Sequence, residues 1–287
     1  MGREPGIVFC DLDDTFLSTD KRLIERNMAA LDALAARGIG FVPCTGRNLG
    51  GVLIFEELAS HPSVRYAVTS SGAVVYDLRA REVLHERTVG AVRTRALYDL
   101  VRPLEVSFDI FADGRIYSER WRLERLKGFG IDPFTLGHLL STRTPIDVTV
   151  DEITARARLV ERISIFGTSD PAGRDDLTRA RAAVAEVEGL RWTSAHPLGT
   201  EVVDARCSKG EALAWLCGYL GIDAGESVAF GDSDNDREMI EAAGMGVAMG
   251  NGYGSVRRAA DVIAPANDEA GVAAVLEDLL GLRRSAG

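Results

Sequence analysis

Two loops in this sequence bring several carboxylates together directly after a short apolar run. Residues 11–15 read Asp-Leu-Asp-Asp-Thr, and residues 231–236 read Gly-Asp-Ser-Asp-Asn-Asp. Carboxylates this close repel one another unless a cation neutralises them. Because no His or Cys accompanies these oxygen ligands, they favour Mg²⁺ over zinc or copper. Either loop alone could simply cap the helix that follows it. Two such loops at strand ends instead predict a magnesium site.

Two further polar positions are suited to holding an anion. Thr45 and Gly46 follow a β-type run and precede a predicted helix, so the hydroxyl and the backbone N–H groups can bind phosphate oxygens. Lys209 opens an apolar helical segment, where its charge opposes the helix dipole and indicates an anion nearby. A plain helix cap at Thr45 and a solvated surface lysine at position 209 are the alternatives for each residue taken alone.

The segments that must position these residues alternate between strands and helices at both ends of the chain. Strands are predicted at residues 6–10, 39–43, 66–69, 227–230 and 246–249. Helices are predicted at residues 23–36, 52–59, 211–220, 238–243, 253–260 and 272–280. This alternation predicts an α/β fold with a parallel sheet and right-handed crossovers. Parallel strands place their ligands at their carboxyl ends, so both Asp loops are expected at one sheet edge.

The middle of the chain has a different rhythm. Helical stretches such as residues 178–188 separate β-type runs at residues 106–111, 115–117, 159–166 and 190–193. This mixed pattern predicts an inserted α+β domain, which makes the α/β domain discontinuous. We therefore predict a discontinuous Rossmann-like α/β core of residues 1–78 and 204–287 and an inserted α+β domain of residues 79–203.

Composition limits the class of protein. The 287 residues exceed the roughly 150 expected of one domain, and 46% hydrophobic with 26% charged residues is ordinary for a globular protein. A formal net charge of -10 argues against a nucleic-acid partner. No signal-like segment precedes the first strand and no apolar run reaches the ~20 residues of a membrane span, which predicts a cytoplasmic protein without a membrane partner. None of the 4 cysteines forms a CxxC pair, so neither a zinc site nor a disulfide framework is expected.

The polar motifs, taken in order, resemble the four motifs of the haloacid dehalogenase-like (HAD) hydrolase superfamily: Asp11-x-Asp13-x-Thr15, Thr45, Lys209 and Gly231-Asp232-x-x-Asn235-Asp236. The long insertion between the second and third motifs resembles the branch with a large α/β cap. That branch contains the Cof-type (subfamily IIB) phosphatases, sucrose-phosphate and mannosyl-3-phosphoglycerate phosphatases and phosphomannomutase. The resemblance extends to residues 45–47, 71–73, 248–251 and 267–271. It departs at Asp14, where this branch commonly has Gly, and at Ser71, where it commonly has Asn.

This resemblance implies a magnesium-dependent phosphatase that acts through an aspartyl-phosphate on a small phosphorylated metabolite, such as a sugar phosphate or a phosphoglycoside. Asp11 is the implied nucleophile, and Asp13 the implied acid and base. The implied metal ligands are Asp11, Asp13 through its backbone carbonyl, Asp232 and Asp236. The residues implied to bind or orient the phosphoryl group are Thr45, Gly46, Arg47, Lys209 and Asn235.

The inserted domain is expected to select the substrate. Its Arg120, Arg122, Arg125 and Lys127 could contact a second anionic group, but interleaved glutamates favour a solvated helix face. Two alternative functions stay open at this point: a phosphomutase and a non-catalytic phosphometabolite-binding protein. A monomer is favoured over a homodimer, because a large cap can shield the site without a partner.

Overall fold

The computed structural model describes residues 4–168, 175–194 and 196–282, and the chain divides into two compact units. The first unit comprises Met1–Glu86 and Ser208–Gly287, and the second comprises Arg87–Cys207. Both divisions lie later in the chain than the predicted boundaries after residues 78 and 203. The first shift has a clear cause, because a strand over Glu82–Glu86 pairs within the first unit. The second boundary lies later than residue 203 because a strand of the second unit continues to Asp204 and is followed by a turn.

The first segment of the first unit opens with the predicted alternation of strand and helix. The first helix, α1 (Glu25–Ala35), buries Met28, Leu31 and Leu34 at helical spacing, so its apolar face packs toward the core. The elements are β1 (Ile7–Cys10), α1 (Glu25–Ala35), β2 (Gly40–Pro43), α2 (Leu49–Leu53), α3 (Glu56–Ala59), β3 (Tyr66–Thr69), β4 (Val74–Asp77) and β5 (Glu82–Glu86).

Two predictions for this segment were wrong in detail. The single helix predicted at residues 52–59 is two short helices, because the backbone of Phe55 (φ -91°, ψ 68°) leaves the helical region between them. β3 does not continue the main parallel sheet as a full strand. It pairs antiparallel with β4, and only a single parallel bridge joins Val68 to Cys44 beside β2. Ser70 and Ser71 have left-handed backbone conformations that reverse the chain between β3 and β4.

The second unit is a six-stranded sheet with helices packed against it. The sheet order is β10-β11-β9-β6-β7-β8, and all neighbours are antiparallel except β7 and β8. Leu97, Ile153 and Leu177 from three helices pack on Ile110 and Ile163 of the central strands. The elements are α4 (Gly90–Val101), β6 (Asp109–Ala112), β7 (Arg115–Glu119), α5 (Arg120–Arg125), α6 (Pro133–Thr142), β8 (Thr144–Ile146), α7 (Val150–Arg156), β9 (Val160–Phe166), α8 (Asp176–Ala185), β10 (Leu190–Thr193) and β11 (Gly199–Asp204).

The chain then returns to complete the first unit. Its main sheet has the order β14-β13-β12-β1-β2 with every pair parallel. Apolar clusters cover both faces, as all-parallel sheets require: one contains Val8 and Phe230, the other Phe9 and Leu213. The elements are α9 (Lys209–Leu220), β12 (Ser227–Gly231), α10 (Arg237–Ala242), β13 (Met245–Ala248), α11 (Gly254–Ala259), β14 (Val262–Ile263) and α12 (Gly271–Leu279).

The α/β fold class with an inserted α+β unit is therefore confirmed. All four cysteines, Cys10, Cys44, Cys207 and Cys217, are free and buried. No helix in the described part of the chain combines the length and the apolar character that crossing a bilayer requires.

Candidate active site

Both Asp loops lie at the same edge of the main sheet. β1 and β12 are neighbours in parallel register, with Cys10 opposite Phe230, and the Asp11 N–H donates to the Phe230 carbonyl at 2.9 Å. Asp11 begins the loop after β1, and Asp232 begins the loop after β12. The two residues are 5% and 8% exposed. Asp11 and Asp232, which are 221 residues apart in sequence, thus meet because their strands are adjacent, as the sequence predicted.

Lys209 lies at the centre of this cluster. Its ammonium Nζ is 2.6 Å from Asp11 Oδ1 and 2.5 Å from Asp236 Oδ1, and the residue is 1% exposed. Burial disfavours the charged form, but Asp11 and Asp236 outweigh burial and raise the pKa of Lys209 well above its ordinary value. The lysine is therefore a fixed positive charge between two carboxylates, and the reading of Lys209 as a solvated surface residue was wrong.

Close backbone contacts on both sides of Lys209 fix its position. Lys209 is the first residue of α9, and the Ser208 hydroxyl caps this helix by accepting from the Glu211 N–H at 3.0 Å. A Cβ at Gly72 would lie 2.3 Å from the Ser208 carbonyl oxygen. A Cβ at Gly210 would lie 2.5 Å from the Glu238 carbonyl oxygen. Only glycine fits at both positions, so the turn after β3 and helix α10 can pack directly on the start of α9.

Three carboxylates of the cluster are suited to holding a cation. Asp11, Asp232 and Asp236 are buried, and each offers an oxygen within 4.8 Å of the others. Burial, with the neighbouring carboxylates, raises the pKa of Asp11 to about 8 despite Lys209, and it raises the pKa of Asp232 well above its ordinary value. Three carboxylates facing one ammonium leave an excess of negative charge. This all-oxygen, electronegative donor set fits a divalent cation.

Asp236 also organises the residues around it. Its Oδ2 accepts from the backbone N–H groups of Asp232 and Ser233, both at 3.0 Å, while its Oδ1 accepts from Lys209. The same carboxylate thus orients the loop after β12 and the lysine. Asn235 lies on this loop, and its side-chain oxygen accepts from the Ser233 hydroxyl at 2.8 Å.

Asp13 and Arg47 form a contact that the sequence did not reveal. The Arg47 guanidinium donates from Nε and Nη2 to the two oxygens of Asp13, both at 2.7 Å. This bidentate pair joins the loop after β1 to the loop after β2. Arg47 was expected to bind phosphate, whereas in this structure its guanidinium holds the Asp13 carboxylate. The guanidinium also lies 5.1 Å from the centre of the Phe55 ring.

Thr45 and Gly46 lie where the sequence predicted, in the loop after β2. Thr45 is 1% exposed, its N–H donates to the Val68 carbonyl at 2.9 Å, and its hydroxyl accepts from the Arg47 N–H at 3.2 Å. Gly46 is half-buried between Thr45 and Arg47. The Thr45 carbonyl accepts from the Ser71 N–H at 3.0 Å, so the left-handed turn at Ser71 holds this loop in place.

Sequence reasoning gave no role to three residues that contact the site loops. The Thr15 hydroxyl donates to Asp232 Oδ1 at 2.9 Å and so connects the two Asp loops. Lys21 Nζ lies 2.8 Å from Asp14 Oδ2 and 3.7 Å from Asp13 Oδ1. The Asn251 side chain donates to the Asp14 carbonyl at 2.8 Å. Thr15 and Asn251 stand inside recognised motifs, which is the signal that could have found them, whereas nothing in the sequence marks Lys21.

Three of the four basic residues that the sequence singled out in the second unit are exposed, as a solvated helix face requires, and the fourth is buried. Arg122 is fully buried and donates to Glu119 and to the carbonyls of Val106 and Arg102. Arg120 pairs with Asp147, Arg125 with Glu105 and Lys127 with Glu124. The prediction that interleaved charges indicate solvent exposure was therefore wrong for Arg122, which is a structural residue of its unit.

The parallel sheet, the strand-end aspartates and the inserted unit define a class of α/β hydrolase. A family model described as haloacid dehalogenase-like hydrolase matches residues 8–276. The chain belongs to the haloacid dehalogenase-like hydrolases, and it is a phosphatase. It is 28% identical to the phosphatase YwpJ of Bacillus subtilis, with 96% of this chain and 99% of that protein covered. It is 30% identical to the HMP-PP phosphatase of Klebsiella pneumoniae strain 342, with 84% of this chain and 82% of that protein covered.

Solved structures show the same fold. A haloacid dehalogenase-like hydrolase from B. subtilis superposes with a TM-score of 0.79 at 26% identity, covering 95% of this chain and 99% of that chain. The HAD subclass IIB sugar phosphatase BT4131 superposes with a TM-score of 0.80 at 21% identity, covering 96% and 99%. Phosphatases of this family act on small phosphorylated substrates and use a divalent metal, which agrees with the carboxylate cluster of Asp11, Asp232 and Asp236.

Proposed function

We propose that this protein is a Mg²⁺-dependent phosphomonoesterase that forms an aspartyl-phosphate on Asp11. The observation that carries this proposal is the buried cluster in which the Lys209 ammonium lies within hydrogen-bond distance of Asp11 and Asp236. A nucleophilic carboxylate beside a fixed positive charge can approach a phosphate ester without building up further repulsion. Asp11, Asp232 and the backbone carbonyl of Asp13 would hold Mg²⁺, with Asp236 supporting them.

The reaction proceeds in two displacements. An Asp11 carboxylate oxygen attacks phosphorus, the bond to the ester oxygen breaks, and Asp13 gives that oxygen its proton so that an alcohol leaves. Asp13 then takes a proton from water, whose oxygen attacks the phosphorus of the aspartyl-phosphate. The bond to Asp11 breaks, inorganic phosphate leaves, and both carboxylates return to their starting states.

Positioned charge provides the rest of the catalysis. Thr45 and Lys209 bind oxygens of the transferring phosphoryl group, with Gly46 offering its N–H, and Asn235 and Asp236 keep their loop oriented. When bound, Mg²⁺ supplies positive charge to the phosphoryl oxygens. Arg47 holds both oxygens of Asp13 by hydrogen bonds in this structure, so one of these hydrogen bonds must open before Asp13 can carry the proton that it gives to the leaving oxygen.

The substrate is a small phosphorylated metabolite, most consistent with a sugar phosphate or a phosphoglycoside, and the second unit selects it. The likeness to a sugar phosphatase supports the first class. The relative named HMP-PP phosphatase, at 30% identity, adds cofactor-type phosphates to the candidates.

The test is phosphate release from a panel of these esters, with and without Mg²⁺ and without any bisphosphate activator. We expect magnesium-dependent turnover that Asp11→Asn abolishes, while Asp99→Asn at an exposed carboxylate of the second unit retains it. Acid-quenched reactions of the wild type should carry a phosphoryl group on the peptide that contains Asp11. A fully active Asp11→Asn variant would refute the mechanism. Turnover only with a bisphosphate activator would instead indicate a phosphomutase.

A further inference from the structure

The two ends of the site differ in their access to solvent. At one end, Lys209 is 1% exposed and Asp236 is fully buried. At the other end, the side chains of Lys21, Asp13 and Asp14 are 22%, 35% and 43% exposed. In the proposed function the closed end, which contains Lys209, binds the phosphoryl group. The leaving group of the substrate therefore lies toward the open end, where the Lys21 side chain is partly exposed.

Lys21 is held in a defined position at this open end. It lies in a tight turn closed by an antiparallel bridge between Leu17 and Leu23, and its N–H donates to the Ser18 carbonyl at 2.8 Å. Its φ is 60°, a left-handed conformation that is uncommon for a residue with a side chain. The turn therefore holds the backbone of Lys21 in a defined conformation.

The turn is also anchored to the rest of the first unit. Thr19 donates to Asp268 through both its N–H, at 2.9 Å, and its hydroxyl, at 2.7 Å. The Asn267 side chain donates to the Leu17 carbonyl at 3.0 Å. These contacts hold the backbone before Lys21, and the bridge between Leu17 and Leu23 holds the backbone after it.

Asp14 orients the ammonium. Its Oδ2 lies 2.8 Å from Lys21 Nζ, and Asp14 is itself left-handed, with φ 60°. Lys21 Nζ is also 3.7 Å from Asp13 Oδ1, which already accepts from Arg47 at 2.7 Å. Two cations therefore converge on one carboxylate at the open end. The sequence contains only three lysines, at positions 21, 127 and 209, beside 30 arginines. Both lysines of the first unit lie against carboxylates of residues 11–14.

We propose that Lys21 is a specificity-determining residue that binds a second negatively charged group, a carboxylate or a phosphate, on the leaving side of the substrate. This inference rests on the proposed function. The ammonium is close enough to the acid and base Asp13 to reach a group one or two bonds beyond the leaving oxygen. An ester whose alcohol is neutral makes no comparable ion pair with it.

The test uses substrates that differ only in this group. 3-Phosphoglycerate and glycerol 3-phosphate differ by a carboxylate against a hydroxymethyl group, and glucose 1,6-bisphosphate and glucose 6-phosphate differ by one phosphate. We expect Lys21→Met to lower the ratio of kcat/KM for the charged over the neutral member of at least one pair by about tenfold. The pair that responds identifies whether a carboxylate or a phosphate is bound. Lys127→Met, on a pair that spans 3.9 Å in the second unit, is the matched control and should leave both ratios unchanged.

Because the measured quantity is a ratio of two activities of the same protein, partial misfolding of a variant cancels from it. If Lys21→Met leaves both ratios unchanged, the inference is overturned while the phosphatase mechanism stands. If the wild type hydrolyses no ester, the proposed function falls and the inference falls with it.

Discussion

The first unit buries three carboxylates around one ammonium, whereas each described buried arginine of the second unit pairs with a carboxylate. In the first, Asp11, Asp232 and Asp236 surround Lys209. In the second, Arg143 pairs with Asp109 at 3.1 Å, with both side chains at most 5% exposed. A matched buried pair is neutral and satisfies itself, so it can hold a structure together. An unmatched buried cluster works against folding until a cation binds, and this imbalance indicates chemistry.

The largest expected effect comes from removing the one positive charge of the unmatched cluster. Lys209→Met keeps the aliphatic stem but leaves Asp11 and Asp236 without their ammonium. We expect phosphate release to fall by about a hundredfold to a thousandfold, because one positioned charge in a buried site stabilises the transition state by that order. Steady-state phosphate release with saturating Mg²⁺ measures this. If the rate of phosphate release by Lys209→Met were within tenfold of the wild-type rate, the lysine would only balance the charge of the carboxylates.

A matched pair should behave in the opposite way and affect stability. Arg122→Met leaves Glu119 without its buried partner and three carbonyl groups without a donor, so we expect the free energy of unfolding to fall by about 3 kcal/mol. Urea unfolding followed by the fluorescence of the adjacent Trp121 measures this. Arg125→Gln, on the exposed pair with Glu105, is the control and should cost about 0.5 kcal/mol or less. Equal losses in the two variants would remove the distinction between buried and exposed pairs.

The smallest expected effect is a pH dependence of stability in the unmatched cluster. Because the pKa of Asp11 is raised from 3.8 to about 8, the metal-free folded state holds a proton there that the unfolded chain has lost. Stability from this proton is complete below the unfolded pKa and is lost as the pH rises toward 8. A bound divalent cation replaces the proton. We therefore expect the gain in Tm on adding Mg²⁺ to be larger at about pH 8 than at about pH 6. A gain that is independent of pH would contradict this account of the cluster.

Many elements of the first unit were predictable because the sequence patterns that specify them are local. The apolar run at β1, the helical spacing of Met28, Leu31 and Leu34 in α1 and the Asp loops follow from side-chain type and period. The predictions that were wrong concern elements whose structure depends on contacts between residues distant in sequence. No residue near Phe55 marks the break between α2 and α3. The antiparallel pairing of β3 with β4 depends on the left-handed backbone of Ser70 and Ser71, a conformation that is normally expected of glycine.

The second unit was predictable only as a class of structure. Strands β6, β7, β9 and β10 were predicted, whereas β8 and β11 were missed. The exposure of Arg120, Arg125 and Lys127 was predicted, but the burial of Arg122 was not, because alternating Arg and Glu produce the same local pattern on a solvated face and around a buried guanidinium. Arg122 can be buried because three carbonyl groups from an earlier part of the chain accept from its guanidinium, those of Arg102, Leu104 and Val106.

By itself, the sequence determined the fold class, the two Asp loops and the lysine that completes them, because residue type and order are sufficient to specify strand ends and motif spacing. The tertiary structure decided which of these charges meet. It brought Lys209 between Asp11 and Asp236, joined Arg47 to Asp13 and set Lys21 at the open end of the site. These distances depend on close backbone packing at Gly72 and Gly210 and on turn conformations, which arise only when segments far apart in the chain pack together.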